Sequence, residues 1–299
     1  MHRRSASFGC TDTTNMIATE FDWLHPENPW CAKAARAWDH IGDLRSRLLD
    51  FRSAEPYSLT PRMTDDAERV DYVLNIHHAV PAVFGSIVGD VLHNLRSALE
   101  NLAFRLAVLS NEEELTERLQ HRAAFPICET PDAFDAWLRN RPKEMFSEAA
   151  RAALREAQPF AELDRFKARE PWRDESYEQH AHWHPLHRMN RLWNIDKHRH
   201  LAVMAWWPDL VYFYNTTKAK LTAFRTADTF EHGTVLYRVL GEHGDEPPEV
   251  GHDFLLTLID DPAYTTEGRH NQDVVEALEQ FHRTVANGVI PTVAKAMTT

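Results

Sequence analysis

One apolar repeat after Pro81 constrains this chain more than any other feature. Phe84, Val88, Val91, Leu92, Leu95, Leu99, Leu102 and Leu106 recur at intervals of mostly three and four residues, the spacing that lines one side of an α-helix. No proline interrupts the pattern, which predicts a helix over about 83–109. Such a helix is roughly 40 Å long, so the rest of the fold must be assembled along it. Its other side carries Asp90, His93, Asn94, Ser97, Glu100 and Asn101, interrupted by Phe104 and Val108. Those interruptions predict that the polar stripe is partly covered, and a covered polar stripe needs hydrogen-bond partners.

Other elements follow from local signals. Ala35, Trp38, Ile41, Leu44, Leu48 and Leu49 predict an amphipathic helix over about 31–51, ended before Pro56. Two short strands are expected next, at Tyr57–Met63 and through Val70, Tyr72, Leu74 and Ile76, with Asp65 and Asp66 at their turn. Residues 124–127 read as extended. Thr130-Pro131-Asp132 opens a short helix through Phe134 and Trp137, and Ser147 caps another that runs to about 158. Residues 162–184 are charged and His-rich without periodicity, and read as a long loop. Candidate strands then lie at 203–207, 211–214, 221–225, 234–240 and 254–259, with a polar turn region at 241–248. A terminal helix from Asp273 carries Val274, Leu278, Phe281, Val285 and Val289, with Pro291 placed to kink or end it.

Helices and strands do not alternate, which argues for an α+β fold rather than a parallel α/β sheet. The expected architecture is a central antiparallel helix pair with flanking helices, a small β-hairpin and a β-rich C-terminal half closed by the terminal helix. Residues 1–18 read as a disordered segment and 19–299 as a single domain, and Met16 is an alternative start to Met1. With 43% hydrophobic residues, the chain can bury a sizeable core. Its formal net charge of −12 argues against broad, non-specific binding to nucleic acid. Three scattered cysteines, Cys10, Cys31 and Cys128, form no CxxC pair and suit a reduced cytoplasmic setting. The sequence has neither a signal-peptide pattern nor an apolar run of membrane-spanning length.

The second partner of the central pair is expected to begin after Pro185. Drawn as a helix at about 100° per residue, His187, Asn190, Arg191, Asn194, Lys197 and His198 share an arc of roughly 120°. These side chains bind phosphate, orient neighbours by hydrogen bonding and move protons near neutral pH. Arg191 and His198, with Asn194 between them, make a candidate catalytic set for metal-independent phosphodiester cleavage, in which the ribose 2′-hydroxyl supplies the nucleophile. Asp90, His93, Asn94, Glu100 and Lys197 would be supporting groups.

The Arg191…His198 spacing resembles the Arg-x4–6-His motif of HEPN-domain ribonucleases, helical bundles common in bacterial toxin and antiphage defence systems. The resemblance implies that Arg191 and His198 are the catalytic pair, that RNA is the substrate and that the chain works as a homodimer. It implies no cofactor. The polar residue that often follows the family's arginine is replaced here by Leu192, and the β-rich half has no counterpart in a minimal bundle. Separately, residues 89–100 (GDVLHNLRSALE) and 194–199 (NIDKHR) resemble paired segments in a group of uncharacterised bacterial proteins. That likeness implies that the two helices form one site.

Two other chemistries compete. Asp90 and His93 have the i,i+3 spacing of a helical carboxylate–histidine metal pair, which Glu100 and His198 would complete, although a second such pair is missing. His180, His182, His184 and His187 form a denser cluster suited to zinc or nickel, or to no ligand at all if they sit in a solvated loop. The third reading is non-enzymatic: an interaction or sensor protein whose polar helix pair is a buried structural network. With ten glycines, the chain has neither GxGxxG nor a Walker A run, and G-x-S-x-G and HExxH are also missing. Trp206, Trp207, Tyr212 and Tyr214 suit a stacking surface, and equally a strand core.

Overall fold

The computed structural model describes residues 25–64, 69–111, 115–197, 203–206, 212–214, 222–225, 231–240, 247, 249–251, 254–258 and 272–297. The first helix, α1 (Pro29–Ser53), starts with Pro29 where a backbone N–H is not needed. It buries Trp30, Ala34, Ala37, Ile41, Leu44, Leu48 and Phe51, so its apolar side is offset from the expected one, and Leu49 is exposed. The strands β1 (Tyr57–Met63) and β2 (Arg69–Ile76) lead into α2 (Val83–Ser110). The expected apolar stripe of α2 is buried throughout, and α1 is its principal partner.

Six short helices follow: α3 (Glu117–Gln120), α4 (Pro131–Arg139), α5 (Glu148–Glu156), α6 (Pro159–Arg169), α7 (Tyr177–Trp183) and α8 (Pro185–Asp196). Thr130 and Ser147 cap α4 and α5 through bonds from the amides of Ala133 and Ala150. Between α3 and α4 the chain runs extended, as expected for 124–127. It is pinned by Gln158, which is buried and accepts from the Cys128 amide at 2.9 Å while donating to the Pro126 carbonyl at 3.1 Å.

The main sheet is antiparallel, in the order β1-β2-β6-β5, where β5 is Thr222–Arg225 and β6 is Val235–Leu240. Two further pairs are shorter: β3 (Val203–Trp206) with β8 (Leu255–Leu258), and β4 (Tyr212–Tyr214) with β7 (Glu249–Gly251). Asp71 lies near the start of β2 with Arg62 opposite it on β1 and Arg238 opposite it on β6. Its carboxylate, 1% exposed, accepts from Arg69 at 2.7 and 3.1 Å and from Arg238 at 2.8 Å, with Arg62 at 3.7 Å. These guanidinium bonds hold the carboxyl well below its usual range.

The chain closes with α9 (Val274–Arg283), a π-helical segment Thr284–Val289 and α10 (Ile290–Ala294). Asp273 caps α9, and the helix runs on through Pro291 rather than stopping there. Val274, Leu278, Phe281, Val285, Val289 and Val293 all join the core made by α1 and α2.

The α+β class holds, but the fold is mostly helical and the C-terminal half is not β-rich. Strand-forming residues after 203 give described strands of only three to six residues. The stretch expected to be a loop, 162–184, contains most of α6 and all of α7. A Ser176–Gln179 capping box starts α7, each side chain accepting from the other residue's amide. The 65–66 turn lies outside the described residues. Among the described residues, no helix is long and apolar enough to cross a membrane.

Candidate functional site

Histidines from α7 and α8 divide into two groups. His184 ends α7 and caps α8: its Nδ1 accepts the Leu186 amide at 3.2 Å. That bond leaves the proton on Nε2, which lies 3.4 Å from Glu162 Oε2 on α6. His180 stands one turn earlier, its Nε2 4.0 Å from Glu162 Oε1 and its Nδ1 3.6 Å from Glu175 Oε1. Arg173 in turn donates to Glu175 at 3.0 Å. His184 holds the Glu162 carboxyl below its usual range, and burial pushes the His180 imidazole down.

Glu162, His180 and His184 offer ligand atoms within 4.8 Å of one another, the one such trio among the described residues. The donor set suits zinc by type. The cap opposes it, because a metal on His184 Nε2 needs a proton on Nδ1, where the Leu186 amide already points one. As it stands, the His184–Glu162 bond fastens α6 to the α7–α8 corner, while His180 lies between Glu162 and Glu175 with its buried Nε2 without a hydrogen-bond partner.

The other group faces the extended segment before α4. His187 Nε2 meets Glu129 Oε1 at 2.9 Å, and Arg191 Nη1 donates to His182 Nδ1 at 3.2 Å. Burial pushes the His187 imidazole down, the nearby Arg191 and His182 add to the effect, and Glu129 opposes them. His187 is therefore neutral at neutral pH. With its Nε2–H directed at Glu129, the basic lone pair is on Nδ1, a buried atom that accepts no bond. A histidine oriented by a carboxylate, with its second nitrogen basic, is the arrangement of a general base.

The expected site residues scatter around this centre. Arg191 is half-buried and joins it. Asn194 and Lys197 are exposed, and the Lys197 ammonium sits over the Trp193 ring, 3.2 Å from its centre. His198 lies outside the described residues. On α2, Asp90 and His93 are exposed, and Asn94 is buried with its amide donating to the Asp90 carbonyl at 2.8 Å. Glu100 pairs with Arg96 and accepts the Phe125 amide at 3.0 Å.

The expected polar seam between α2 and α8 is thus corrected. Asp90 and His93 face solvent, and with Glu100 held by Arg96 they do not gather as metal ligands. The helices meet instead through Arg96 stacked on Trp193, 5.1 Å from the ring centre, and through Gly89, where an added Cβ would lie 2.8 Å from the Asp196 carboxylate. These two contacts run in opposite chain directions, so the pair is antiparallel as expected.

Glu129, Glu162 and Glu175 went unread in the sequence because their partners are distant in the chain. The capping box at Ser176 is a local signal for α7, and it sets the His180/His184 spacing on a helix. Of the two described thiols, Cys31 is half-buried, and Cys128 is unsuited to nucleophilic catalysis because burial pushes it up to about 11. Compared with protein-family models, with curated proteins and with solved structures, the chain gives no match.

Proposed function

We propose that the α7–α8 face is a metal-independent phosphodiester-cleaving site acting on RNA. The observation that carries this reading is the convergence of Arg191, His182 and a carboxylate-oriented, neutral His187. Opening of the face exposes His187 Nδ1, which is buried in the resting fold, and it then takes the proton of a ribose 2′-hydroxyl, whose oxygen attacks phosphorus. The 5′-oxygen leaves with a proton from an imidazolium, leaving a 2′,3′-cyclic phosphate. Arg191 neutralises the phosphate as negative charge builds. His198, at the expected motif spacing, is the candidate acid, and a second copy of the chain is the partner that the HEPN resemblance implies.

The competing reading is a structural network in an interaction protein, favoured by the burial of both His187 Nδ1 and His182 Nε2. End-labelled RNA and tRNA incubated with untagged protein, with and without EDTA, separate the two. EDTA-resistant cleavage is expected, lost in His187→Ala, Arg191→Ala and His198→Ala without a large change in Tm. Absence of cleavage, together with early melting of His187→Ala, would establish the structural reading.

A further inference from the structure

We infer that a cleft at the far end of α2, independent of the proposed cleavage site, binds a compact oligophosphate such as inorganic triphosphate or the phosphate chain of a nucleotide. The cleft, about 670 Å³, is lined by Arg118 on α3 and by Arg122, Arg139 and Arg141 around α4, with Glu144 the only carboxylate among its described lining residues. Four guanidiniums around one volume stand out in a chain of net charge −12. The acidic run Glu112–Glu113–Glu114 adjoins α3 in sequence and lies outside the described residues.

Two of the arginines are fixed by the fold. Arg122 donates to the Asn140 carbonyl at 2.7 Å and Arg141 to the Trp137 carbonyl at 3.0 Å, so both serve the negative end of α4. The Arg141 guanidinium also sits over the Trp137 ring, 3.7 Å from its centre, and its Nε is buried without a hydrogen-bond partner. Each guanidinium has five donors, so both retain capacity for a ligand. Arg118 and Arg139 stand in the last turns of α3 and α4, where a cation suits the helix dipole. Both are exposed, among the described residues neither side chain makes an ion pair or hydrogen bond, and they bring two further positive charges to the same concavity.

Asn111 ties the floor down, donating to the Ala107 carbonyl at 2.8 Å and the Glu144 carbonyl at 3.1 Å. The walls are therefore largely preformed, which lowers the ordering cost of binding. Planar guanidiniums match phosphate oxygens in pairs. The described lining residues include no aromatic ring on which a base would stack, so the chemistry recognises phosphate rather than base. A compact ligand is favoured over a long nucleic acid, because a strand leaving the cleft would cross the surface of an acidic protein.

The test is calorimetric titration of the full chain with sodium triphosphate, with sodium sulfate and a single-stranded RNA 20-mer as separate arms. Triphosphate is expected to bind more tightly than sulfate and at least tenfold more weakly to Arg118→Gln/Arg139→Gln. That pair is exposed and retains side-chain length, so its Tm should match the parent. Arg141→Lys keeps charge but loses the planar fork, and should also weaken triphosphate. Equal affinity of parent and double variant would overturn the proposal, as would no triphosphate binding at millimolar concentration. Binding of the RNA but not triphosphate, weakened in Arg118→Gln/Arg139→Gln, would overturn it in favour of a nucleic-acid surface at the cleft. Loss of triphosphate binding bears on this cleft alone, since RNA cleavage is read out at His187 and Arg191.

Discussion

Asp71→Asn tests whether one buried carboxylate fixes the register of the main sheet. The substitution keeps the shape and removes the charge from a site where Arg69 and Arg238 donate directly and Arg62 stands within 3.7 Å. Breaking a buried ion pair costs about 3–5 kcal/mol. The Arg69 and Arg238 side chains keep about a third of their surface, 33% and 31%, so water offsets part of the loss and about 2–3 kcal/mol is expected. Urea unfolding should show it as a midpoint lowered by about 1 M at an unchanged slope of about 2–3 kcal/mol per M. The sign with pH is fixed. The carboxyl is held well below its usual range in the fold, so its contribution is complete above the unfolded value of about 4 and fades as pH falls below that. Parent and variant curves should therefore converge in acid. A loss under 1 kcal/mol, or a gap that persists undiminished at pH 2, refutes the reasoning.

Further predictions concern helix docking and acid stability. Gly89→Ala gains about 1 kcal/mol of helix propensity but drives its Cβ to 2.8 Å from the Asp196 carboxylate. The single variant should be neutral or destabilised, and Asp196→Ala should release the gain. A double-mutant cycle in thermal unfolding reads the coupling, and additive effects would show that α8 does not rest on this glycine. Burial pushes His180, His187 and His282 down. The unfolded chain then binds protons that the fold does not, so stability is complete above about pH 6.5 and is lost as pH falls below it. Tm should drop between pH 7 and 5.5, by less in His282→Gln. A flat or rising Tm over that interval contradicts the assignment.

The long helices were legible because their signals are local and repeated. Both α1 and α2 carry apolar residues at three- and four-residue spacing over many turns, and Thr130 and Ser147 announce α4 and α5 through single caps. By contrast, α6 and α7 have little apolar surface to repeat. Their inward sides include Phe160, Leu163, His180 and Ala181, and their polar partners come from elsewhere in the chain. The helical drawing placed Arg191, Asn194 and Lys197 on one arc, yet angle alone does not name neighbours. Packing turns Arg191 toward His182 and leaves Asn194 and Lys197 in solvent. Strand identity after 203 was partly readable, but strand length depends on pairing between residues such as Val203 and Leu258, which no local window contains.

The π-helical segment Thr284–Val289 has a consequence for how the chain tolerates changes in length. A π turn holds one residue more than the α turn it replaces, as a single insertion into a helix would leave it. Its wider ladder also relieves the clash that Pro291 would cause in an uninterrupted α-helix. Val285, Val289, Ile290 and Val293 nevertheless remain buried across the junction. Removing one residue here, for example Gly288, would restore the α ladder and, because the π segment absorbs one extra residue, leave Ile290 and Val293 facing the core. Removing one from the α-helical part of α9 would instead rotate everything beyond it by about 100° and swing those side chains off the core. The π segment is thus the place in this helix where a change of one residue in length is absorbed.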